Sequence, residues 1–199
     1  MVLVAMWIWC SVGRAEEVKI NSAQELEQFA ALVNSGQNTL DAVIVAPIDL
    51  EGVEHTPIGT PDCPYEGTFD GGFQPINQLN AMLFGTIDGA TLTRIYISSG
   101  EIRQDGNYSA HVGTLAGAAG TKAPNTITYC YSRANIREAT CDAGGFVGKM
   151  YGSIKYCGFA GQLDNRSTTG GFIGSDIDGG HNTLIDHCFV ITDLLQSNA

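Results

Sequence analysis

The chain has 199 residues, which suits one domain, and its 25 glycines exceed the share found in an average protein. With 10 basic and 21 acidic residues, its formal net charge at pH 7 is −11. Nucleic-acid backbones and anionic membrane surfaces select surfaces rich in Lys and Arg, so this balance argues against both as partners. A cationic ligand, or a divalent cation held by carboxylates, is compatible with it.

The first 15 residues form an apolar segment that is too short to span a bilayer, which takes roughly 20 apolar residues. Gly13 and Ala15 place small residues at the two positions that a signal peptidase recognises, which predicts a signal peptide cleaved after Ala15. We therefore expect a secreted or cell-surface protein with no membrane insertion once the signal is removed. Lipid acylation at Cys10 is the alternative, although the preceding Trp7-Ile8-Trp9 is unlike a lipobox.

One amphipathic helix is predicted between Asn21 and Gly36. Ser22 followed by Glu25 is a capping box, and Gly36 is a typical stop signal. Apolar residues at helical spacing form one face of this helix: Leu26, Phe29, Ala30 and Val33. A helix with one apolar face, placed directly before a repeat array, is expected to cover the open end of that array.

Short strand-like segments follow the helix. Residues 42–50 are apolar, and Pro47 within them lacks a backbone N–H, which predicts a sheet edge with a bulge at that point. Residues 75–79 form another short strand after several turns that contain Gly or Pro. No repeat contains a helix-length segment with a period of 3.6 residues, so the rest of the chain is predicted to be all-β.

From residue 81 onward the chain repeats a short apolar motif that ends in glycine. Its four copies are Met82-Leu83-Phe84-Gly85, His111-Val112-Gly113, Gly145-Phe146-Val147-Gly148 and Gly171-Phe172-Ile173-Gly174. The final glycines are 28, 35 and 26 residues apart, which suits coils that carry loops of different length. Because one coil cannot bury its apolar face alone, we expect the copies to stack as β coils about 4.8 Å apart.

Stacked coils place equivalent side chains in rows along the axis, and the sequence predicts three apolar rows. The first lies just before the glycines that end the four motif copies, which we call the anchor glycines. It comprises Phe84, Val112, Val147 and Ile173. The second comprises Leu92, Ile127, Ile154 and Ile185. The third comprises Ile95, Cys130, Cys157 and Cys188.

The third row uses cysteine where the first repeat has isoleucine. A residue that replaces Ile at a stacked position behaves as a small hydrophobe, so Cys130, Cys157 and Cys188 are predicted to be buried free thiols. Side chains in register keep their Cβ atoms about 4.8 Å apart, whereas a disulfide prefers about 3.8 Å. Cys63 and Cys141, which lie in predicted loops, are the pair that we expect to react if any disulfide forms.

Several segments of the repeat region follow a pattern that is known from a family of surface proteins: Pro47-Ile48-Asp49-Leu50, Phe69-Asp70-Gly71, Leu83-Phe84-Gly85 and Val112-Gly113-Thr114-Leu115-Ala116-Gly117. The pattern resembles the GLUG-repeat proteins over about residues 42–194, although two of the four copies lack the first glycine of the family motif. These are secreted or cell-surface bacterial proteins, so the resemblance implies a right-handed parallel β-helix with an adhesin-like role. Similar repeats also occur beside the catalytic part of immunoglobulin A metallopeptidases.

The sequence offers little for catalysis. It has no His-Glu-x-x-His motif, so metallopeptidase chemistry has no residues to carry it. A carbohydrate-active β-helix needs two carboxyl groups roughly 5 to 10 Å apart, and its candidates are Asp62, Glu66 and Asp70, and Asp176 with Asp178. No basic residue lies in an evident acidic cluster. We therefore predict that the chain is not an enzyme, with a polysaccharide lyase or hydrolase as the alternative.

Neither a metal site nor a cofactor site is predicted. A metal needs three or four converging ligands, and the best set is His181, Asp186 and His187, which we expect to be solvated surface residues. The segment Asp176-Ile177-Asp178-Gly179-Gly180 lacks the other oxygen ligands of a Ca²⁺ loop and is expected to be a glycine-rich corner.

Binding residues are predicted at the position directly before the third row. Arg94, Tyr129, Tyr156 and His187 occupy this position in successive repeats. If the cysteines point inward, these four side chains point outward, and exposed aromatic rows suit sugar rings or peptide partners. The alternative is packing between coils that only stiffens the sheet.

These patterns divide the chain into a signal peptide (residues 1–15), an N-terminal capping helix segment (residues 16–41) and β-helix repeats (residues 42–199). The predicted function is a non-catalytic, adhesin-like binding module that contacts a glycan or a host or surface protein, without cofactors. The alternatives are a carbohydrate-active β-helix enzyme and a structural spacer of a larger surface protein. Outward carboxylates clustered in a cleft would favour the enzyme.

Overall fold

The computed structural model describes residues 17–103, 111–120, 122–165, 169–176, 183–192 and 194–195. Within these ranges the chain forms a parallel β-solenoid of about six turns with one short helix near its N-terminal end. The predicted fold class, an all-β parallel β-helix with an N-terminal helix, is therefore confirmed. No helix in these ranges is long and apolar enough to cross a membrane. The predicted signal peptide lies outside the described residues.

The strands pair in parallel with those of neighbouring coils and fall into five sheets. The seven-stranded sheet contains, in spatial order, β1 (Val18–Ile20), β2 (Ala42–Ile44), β4 (Thr68–Asp70), β7 (Thr91–Thr93), β12 (Asn125–Thr128), β17 (Gly152–Lys155) and β22 (Thr183–Asp186). The six-stranded sheet contains β3 (Ile48–Asp49), β5 (Pro75–Asn77), β8 (Tyr96–Ile97), β13 (Tyr131–Ser132), β18 (Gly158–Phe159) and β23 (Phe189–Val190).

Three smaller sheets complete the coils. One four-stranded sheet contains β6 (Phe84–Ile87), β11 (Ala116–Ala119), β16 (Val147–Met150) and β21 (Ile173–Asp176). The other contains β9 (Glu101–Arg103), β14 (Asn135–Ala139), β19 (Leu163–Asn165) and β24 (Leu194–Leu195). The three-stranded sheet contains β10 (His111–Val112), β15 (Asp142–Gly144) and β20 (Thr169–Gly170). Since each sheet is built from strands of successive coils, the corner between two sheets runs along the solenoid axis.

Helix α1 (Ala23–Asn34) begins and ends at its sequence signals. The Ser22 hydroxyl accepts a hydrogen bond from the Glu25 N–H at 3.3 Å, and the Glu25 carboxylate accepts one from the Asn21 N–H at 2.7 Å. The first bond satisfies an N–H group that the first helical turn leaves unpaired, and the second pairs the N–H of the residue before the N-cap. At the other end Gly36 has a φ of +115°, a conformation that glycine adopts without strain.

The apolar face of α1 covers the N-terminal end of the core, as predicted. All four residues of that face are buried: Leu26, Phe29, Ala30 and Val33. The ring centroid of Phe29 lies 5.9 Å from that of Tyr65 and 5.7 Å from that of Phe69. Strand β1, which precedes the helix, pairs with β2 and so extends the seven-stranded sheet. The sequence analysis did not predict this strand.

A polar contact also joins the helix to later coils. His55 is buried, with its Nδ1 2.5 Å from Glu27 Oε1 and its Nε2 3.1 Å from the carbonyl oxygen of Leu83. Burial by itself raises the pKa of Glu27, but the hydrogen bond and charge of His55, with the N–H of Thr56, outweigh it and hold that pKa below its ordinary value. The ionised form of Glu27 therefore stabilises the docked helix.

Pro47 lies where the chain turns from one sheet to the next. It separates β2 of the seven-stranded sheet from β3, which is the edge strand of the six-stranded sheet. A residue without a backbone N–H is tolerated between strands and at such an edge. The predicted edge position is confirmed, and a corner between two sheets takes the place of the expected bulge.

The first predicted row is wrong at its second member. Ala116, not Val112, is the register partner of both Phe84 and Val147. Val112 pairs instead with Ala143 in the three-stranded sheet. The row that the structure forms is Phe84, Ala116, Val147 and Ile173.

The anchor glycine of that coil changes with the register, from Gly113 to Gly117. Residues 111–117 contain two pairs of an apolar residue followed by glycine, and only the second pair continues the row. Close packing explains glycine at both positions. A Cβ on Gly113 would lie 2.6 Å from the Gly148 nitrogen, and one on Gly117 would lie 2.7 Å from the Met82 sulfur.

The second predicted row is confirmed by the strand register. Ile127 pairs with Leu92 on one side and with Ile154 on the other, and Ile154 pairs with Ile185. Leu92, Ile127 and Ile154 are fully buried. They form the inner lining of the seven-stranded sheet.

The third predicted row is also formed, because the N–H group after each cysteine bonds to the carbonyl of the row member in the preceding coil. Cys130 and Cys157 are buried free thiols, as predicted, whereas Cys188 is only half-buried because the described residues include no further coil to cover it. Burial raises the pKa of Cys130, and a hydrogen bond from Cys130 lowers that of Cys157. Cys63 is free as well, and its S–H donates to the Val33 carbonyl at 3.2 Å.

Candidate functional site

The corner between the seven-stranded and six-stranded sheets carries a row of large side chains on unusual backbone. Five residues there have φ between +52° and +56°: Phe73, Arg94, Tyr129, Tyr156 and His187. Bulky residues rarely adopt this left-handed conformation, which Gly and Asn take at lower cost. We call these five residues the corner row.

The side chains of the corner row stack in two groups outside the solenoid. The ring centroids of Tyr129 and Tyr156 are 5.1 Å apart and the rings are 7° from parallel. His187 continues the stack at 5.1 Å from Tyr156, and the Arg94 guanidinium lies 5.9 Å from the Phe73 ring centroid. Tyr129 is 52% exposed and Tyr156 is 47% exposed, while the cysteines that follow them are buried. The predicted outward orientation is therefore present.

Two members of the corner row are bound to neighbouring carboxylates. Arg94 donates through Nε to Asp70 Oδ1 at 2.9 Å and through Nη2 to Asp70 Oδ2, and the hydrogen bond to Asp70 raises the pKa of Arg94. His187 Nδ1 lies 2.6 Å from Asp186 Oδ1. Asp70 also accepts a hydrogen bond from the Gly72 N–H at 2.9 Å, as is typical of Asp in a turn. These carboxylates hold the row in place.

A second aromatic row lies two residues further along the chain, on the outer face of the six-stranded sheet. Tyr96 and Tyr131 are register partners with ring centroids 5.8 Å apart. The next partner is Gly158, and the ring of Phe189 from the following coil lies 5.8 Å from that of Tyr131. A Cβ on Gly158 would lie 2.4 Å from the Phe189 ring, so glycine at this position leaves the space that the Phe189 ring occupies beside Tyr131. We call Tyr96, Tyr131 and Phe189 the sheet row.

Beside the sheet row the outer surface is concave. A groove of about 870 Å³ runs between the six-stranded sheet and the four-stranded sheet of β9, β14, β19 and β24. Its lining comes from successive coils and includes the polar residues Gln78, Ser99, Glu101, Arg133, Asn135 and Gln162. Tyr131 belongs to both the sheet row and the groove wall. The corner row, the sheet row and the groove therefore form one continuous face along the solenoid axis.

Asp62, Glu66 and Asp70, which the sequence offered for catalysis, are described and do not line this groove. Asp62 is exposed in a turn closed by backbone hydrogen bonds between Thr60 and Cys63, and Asp70 is bound by Arg94. Asp178 and His181 lie outside the described residues. In the part of the chain that the structure describes, no group of three or more His, Cys, Asp or Glu side chains is placed to hold a metal ion.

The structure brings all four predicted binding residues, Arg94, Tyr129, Tyr156 and His187, into one exposed row. Sequence reasoning missed Phe73, because the link between β4 and β5 has two more residues than the link between β7 and β8. It also missed the sheet row, although the constant offset of two residues from the corner row was a usable signal. The groove left no signal of that kind, since its lining comes from residues far apart in the sequence.

No protein family and no curated protein matches the chain. Its structure is similar to the crystal structure of "a putative immunoglobulin A1 protease" from Bacteroides ovatus, with a TM-score of 0.51 and 16% sequence identity. The similarity covers 92% of this chain and 77% of that chain. At this identity the likeness supports the β-solenoid fold alone, and the resemblance to the GLUG-repeat proteins stays a prediction.

Proposed function

We propose that this protein is a non-catalytic, secreted or cell-surface binding module whose corner row and sheet row contact a glycan or a protein ligand. The observation that carries the proposal is the exposed stack of Tyr129 and Tyr156 on left-handed backbone. Tyrosine in this conformation costs on the order of 1 kcal/mol, and Asn or Gly would form the same corner with less strain. The cost of this conformation therefore favours a role for the ring surface that these side chains present to solvent.

The geometry of this face suits an extended ligand. Rings that stack along the axis turn their edges and phenol oxygens outward, and the two phenol rings repeat at 5.1 Å. A polymer that carries hydroxyl groups along its length matches such a periodic row. The sheet row supplies further ring surface next to it, and aromatic side chains offer both an apolar body and a polar tip. Secretion is supported by the apolar segment of residues 1–15.

The alternative of a carbohydrate-active enzyme has less support from the groove. Such an enzyme uses one carboxyl group as a general acid, which requires a raised pKa. The groove carboxylate Glu101 accepts hydrogen bonds from Arg103 at 2.7 Å and from Arg137 at 3.4 Å. The hydrogen bond from Arg103 outweighs burial and holds the pKa of Glu101 below its ordinary value. Glu101 is thus poorly suited to donate a proton.

A ligand screen with paired variants tests the proposal. The full chain is applied to a glycan array and to a panel of purified extracellular proteins. Replacing both Tyr129 and Tyr156 with Asn removes the rings while keeping a residue that accepts left-handed backbone. We expect this variant to melt at an equal or higher temperature and to bind at least tenfold more weakly.

Leu32→Asn provides the control, because Leu32 is a 39% exposed apolar residue on helix α1, outside the corner row, the sheet row and the groove. This variant should bind as the wild type does. Binding that survives the double Tyr→Asn replacement would contradict the proposed face. If the chain binds no glycan on the array and no protein of the panel, the result would favour the alternative of a structural spacer.

A further inference from the structure

The groove beside the sheet row contains hydrogen-bond donors that no residue in the described ranges accepts from. Asn135 Oδ1 accepts from the Gln162 N–H at 2.8 Å, which fixes the amide and leaves its Nδ2 group facing no described acceptor. Gln162 Oε1 accepts from Arg137, so the Gln162 Nε2 group is available in the same way. Ser99 Oγ accepts from the Gln78 N–H at 3.1 Å, which leaves the hydroxyl hydrogen of Ser99 free to donate.

The carboxylate of the groove lining, in contrast, is already occupied. Glu101 accepts from Arg103 at 2.7 and 2.9 Å and from Arg137 at 3.4 Å. Glu138, nearby, accepts from Arg103 at 3.4 Å. Two carboxylates thus serve two of the three arginines in this region.

The third arginine, Arg133, lines the groove and is exposed. Its side chain forms no hydrogen bond or ion pair with any residue that the structure describes. Glu101 and Glu138 are paired with Arg103 and Arg137, so Arg133 is the one charged side chain of the groove lining that no described residue neutralises. An uncompensated guanidinium amid unused amide and hydroxyl donors is complementary to an anion that carries several acceptor oxygens.

We propose that the groove binds the carboxylate group of an acidic oligosaccharide, with Arg133 as its cationic partner and the amides of Asn135 and Gln162 as neighbouring donors. This inference rests on the proposed function, because it names the ligand class for the same face. The planar guanidinium offers paired N–H groups that match the two oxygens of a carboxylate. The groove lining spans five coils, or about 19 Å at about 4.8 Å per coil, which exceeds one sugar ring and suits a chain of several.

An acidic peptide fits the same groove less well. Extended peptides bind sheets by adding a strand at an edge, where backbone N–H and C=O groups are unpaired. The strands that flank the groove at its centre are β8, β13 and β18 on one side and β14 and β19 on the other, and each of them pairs with a strand on both sides. A peptide backbone therefore finds no partners there. A sugar needs only side-chain donors and a ring surface, which Tyr131 supplies.

The test uses the full chain on an array of acidic oligosaccharides that end in, or contain, glucuronate, galacturonate or sialate. Each acid stands beside its carboxyl-reduced counterpart, which has the same hydroxyl pattern without the charge. We expect binding to at least one acid and at least tenfold weaker binding to its reduced form. Arg133→Gln should weaken binding to that acid about tenfold, the effect of losing one charge-assisted hydrogen bond, without changing binding to the reduced form.

Lys149→Gln is the matched control, because it removes the same charge from β16, which lies in a different sheet from the groove. This variant should bind like the wild type. The groove assignment would be overturned if an acid and its reduced form bound equally well, or if Arg133→Gln and Lys149→Gln weakened binding equally. It would also be overturned if only neutral glycans or proteins bound. The last result would leave the proposed function standing, whereas retention of no ligand at all would overturn both.

Discussion

Replacing Phe29 with Ala is expected to release helix α1 from the end of the solenoid. The Phe29 side chain is 1% exposed and packs against Tyr65 and Phe69. Truncating a buried Phe costs about 3–5 kcal/mol, because its contacts are lost and a cavity remains. This is a large part of the roughly 5–15 kcal/mol that stabilises a typical domain. Phe29→Asp is expected to cost more, since its carboxylate would lie in the same apolar site without a partner.

Urea unfolding followed by circular dichroism measures this loss. The matched control is Leu32→Ala on the same helix, because Leu32 is 39% exposed and leaves no closed cavity when it is truncated. We expect the free energy of unfolding to fall by less than about 1 kcal/mol in the control and by at least three times as much in Phe29→Ala. Equal urea midpoints for the two variants would show that the helix is not docked and would refute the reasoning.

Amide hydrogen exchange locates the effect along the axis. The Val18 N–H donates to the Asp41 carbonyl and the Val45 N–H donates to the Ile20 carbonyl, both at 2.8 Å and both at the end that the helix covers. Repeat proteins open in units that contact only their neighbours. Exchange at these two amides should therefore accelerate in Phe29→Ala before exchange in the later coils does.

Two further predictions concern titratable groups. The lowered pKa of Glu27 means that the unfolded chain binds the proton more tightly, so the stabilisation relative to Glu27→Gln should be complete above the ordinary Glu pKa of about 4.3. It should fade as the pH falls through the lower folded value, and melting temperatures that differ equally at pH 7 and pH 3 would contradict this. Cys130 and Cys157 should react with an alkylating reagent only after denaturation without reductant, and a peptide linking the two cysteines would show that the row is a covalent bridge.

The helix and two of the three rows could be predicted because their determinants are local. Ser22, Glu25 and Gly36 specify the ends of one helix, and a period of 3.6 residues identifies its buried face. The cysteine row follows from a fixed offset after the corner position in each repeat. Such features need no knowledge of how distant coils pack.

The register of the first row could not be predicted, because two segments satisfy the same local pattern. Val112-Gly113 and Ala116-Gly117 each place an apolar residue before a glycine, and Val112 is the better match to Phe84 by size. The structure pairs the small Ala116 with Phe84 and assigns Val112 to a separate sheet. Equivalent positions in a solenoid can hold residues of different volume when neighbours in the same layer compensate, and a sequence pattern does not reveal that compensation.

The proposed groove site illustrates why net charge alone is a poor guide to a ligand. A total of −11 argued against anionic polymers such as nucleic acid and was compatible with a cationic ligand, yet Coulomb interactions between exposed groups are largely screened beyond about 8–10 Å at physiological salt. A ligand in the groove therefore senses mainly its near neighbours, where Glu101 and Glu138 are matched by Arg103 and Arg137 and Arg133 is left over. The sign of the charge that a site presents to a ligand depends on which charged side chains find partners after folding. That pairing depends on strand register between coils, as in the contact of Arg103 with a glutamate 35 residues away.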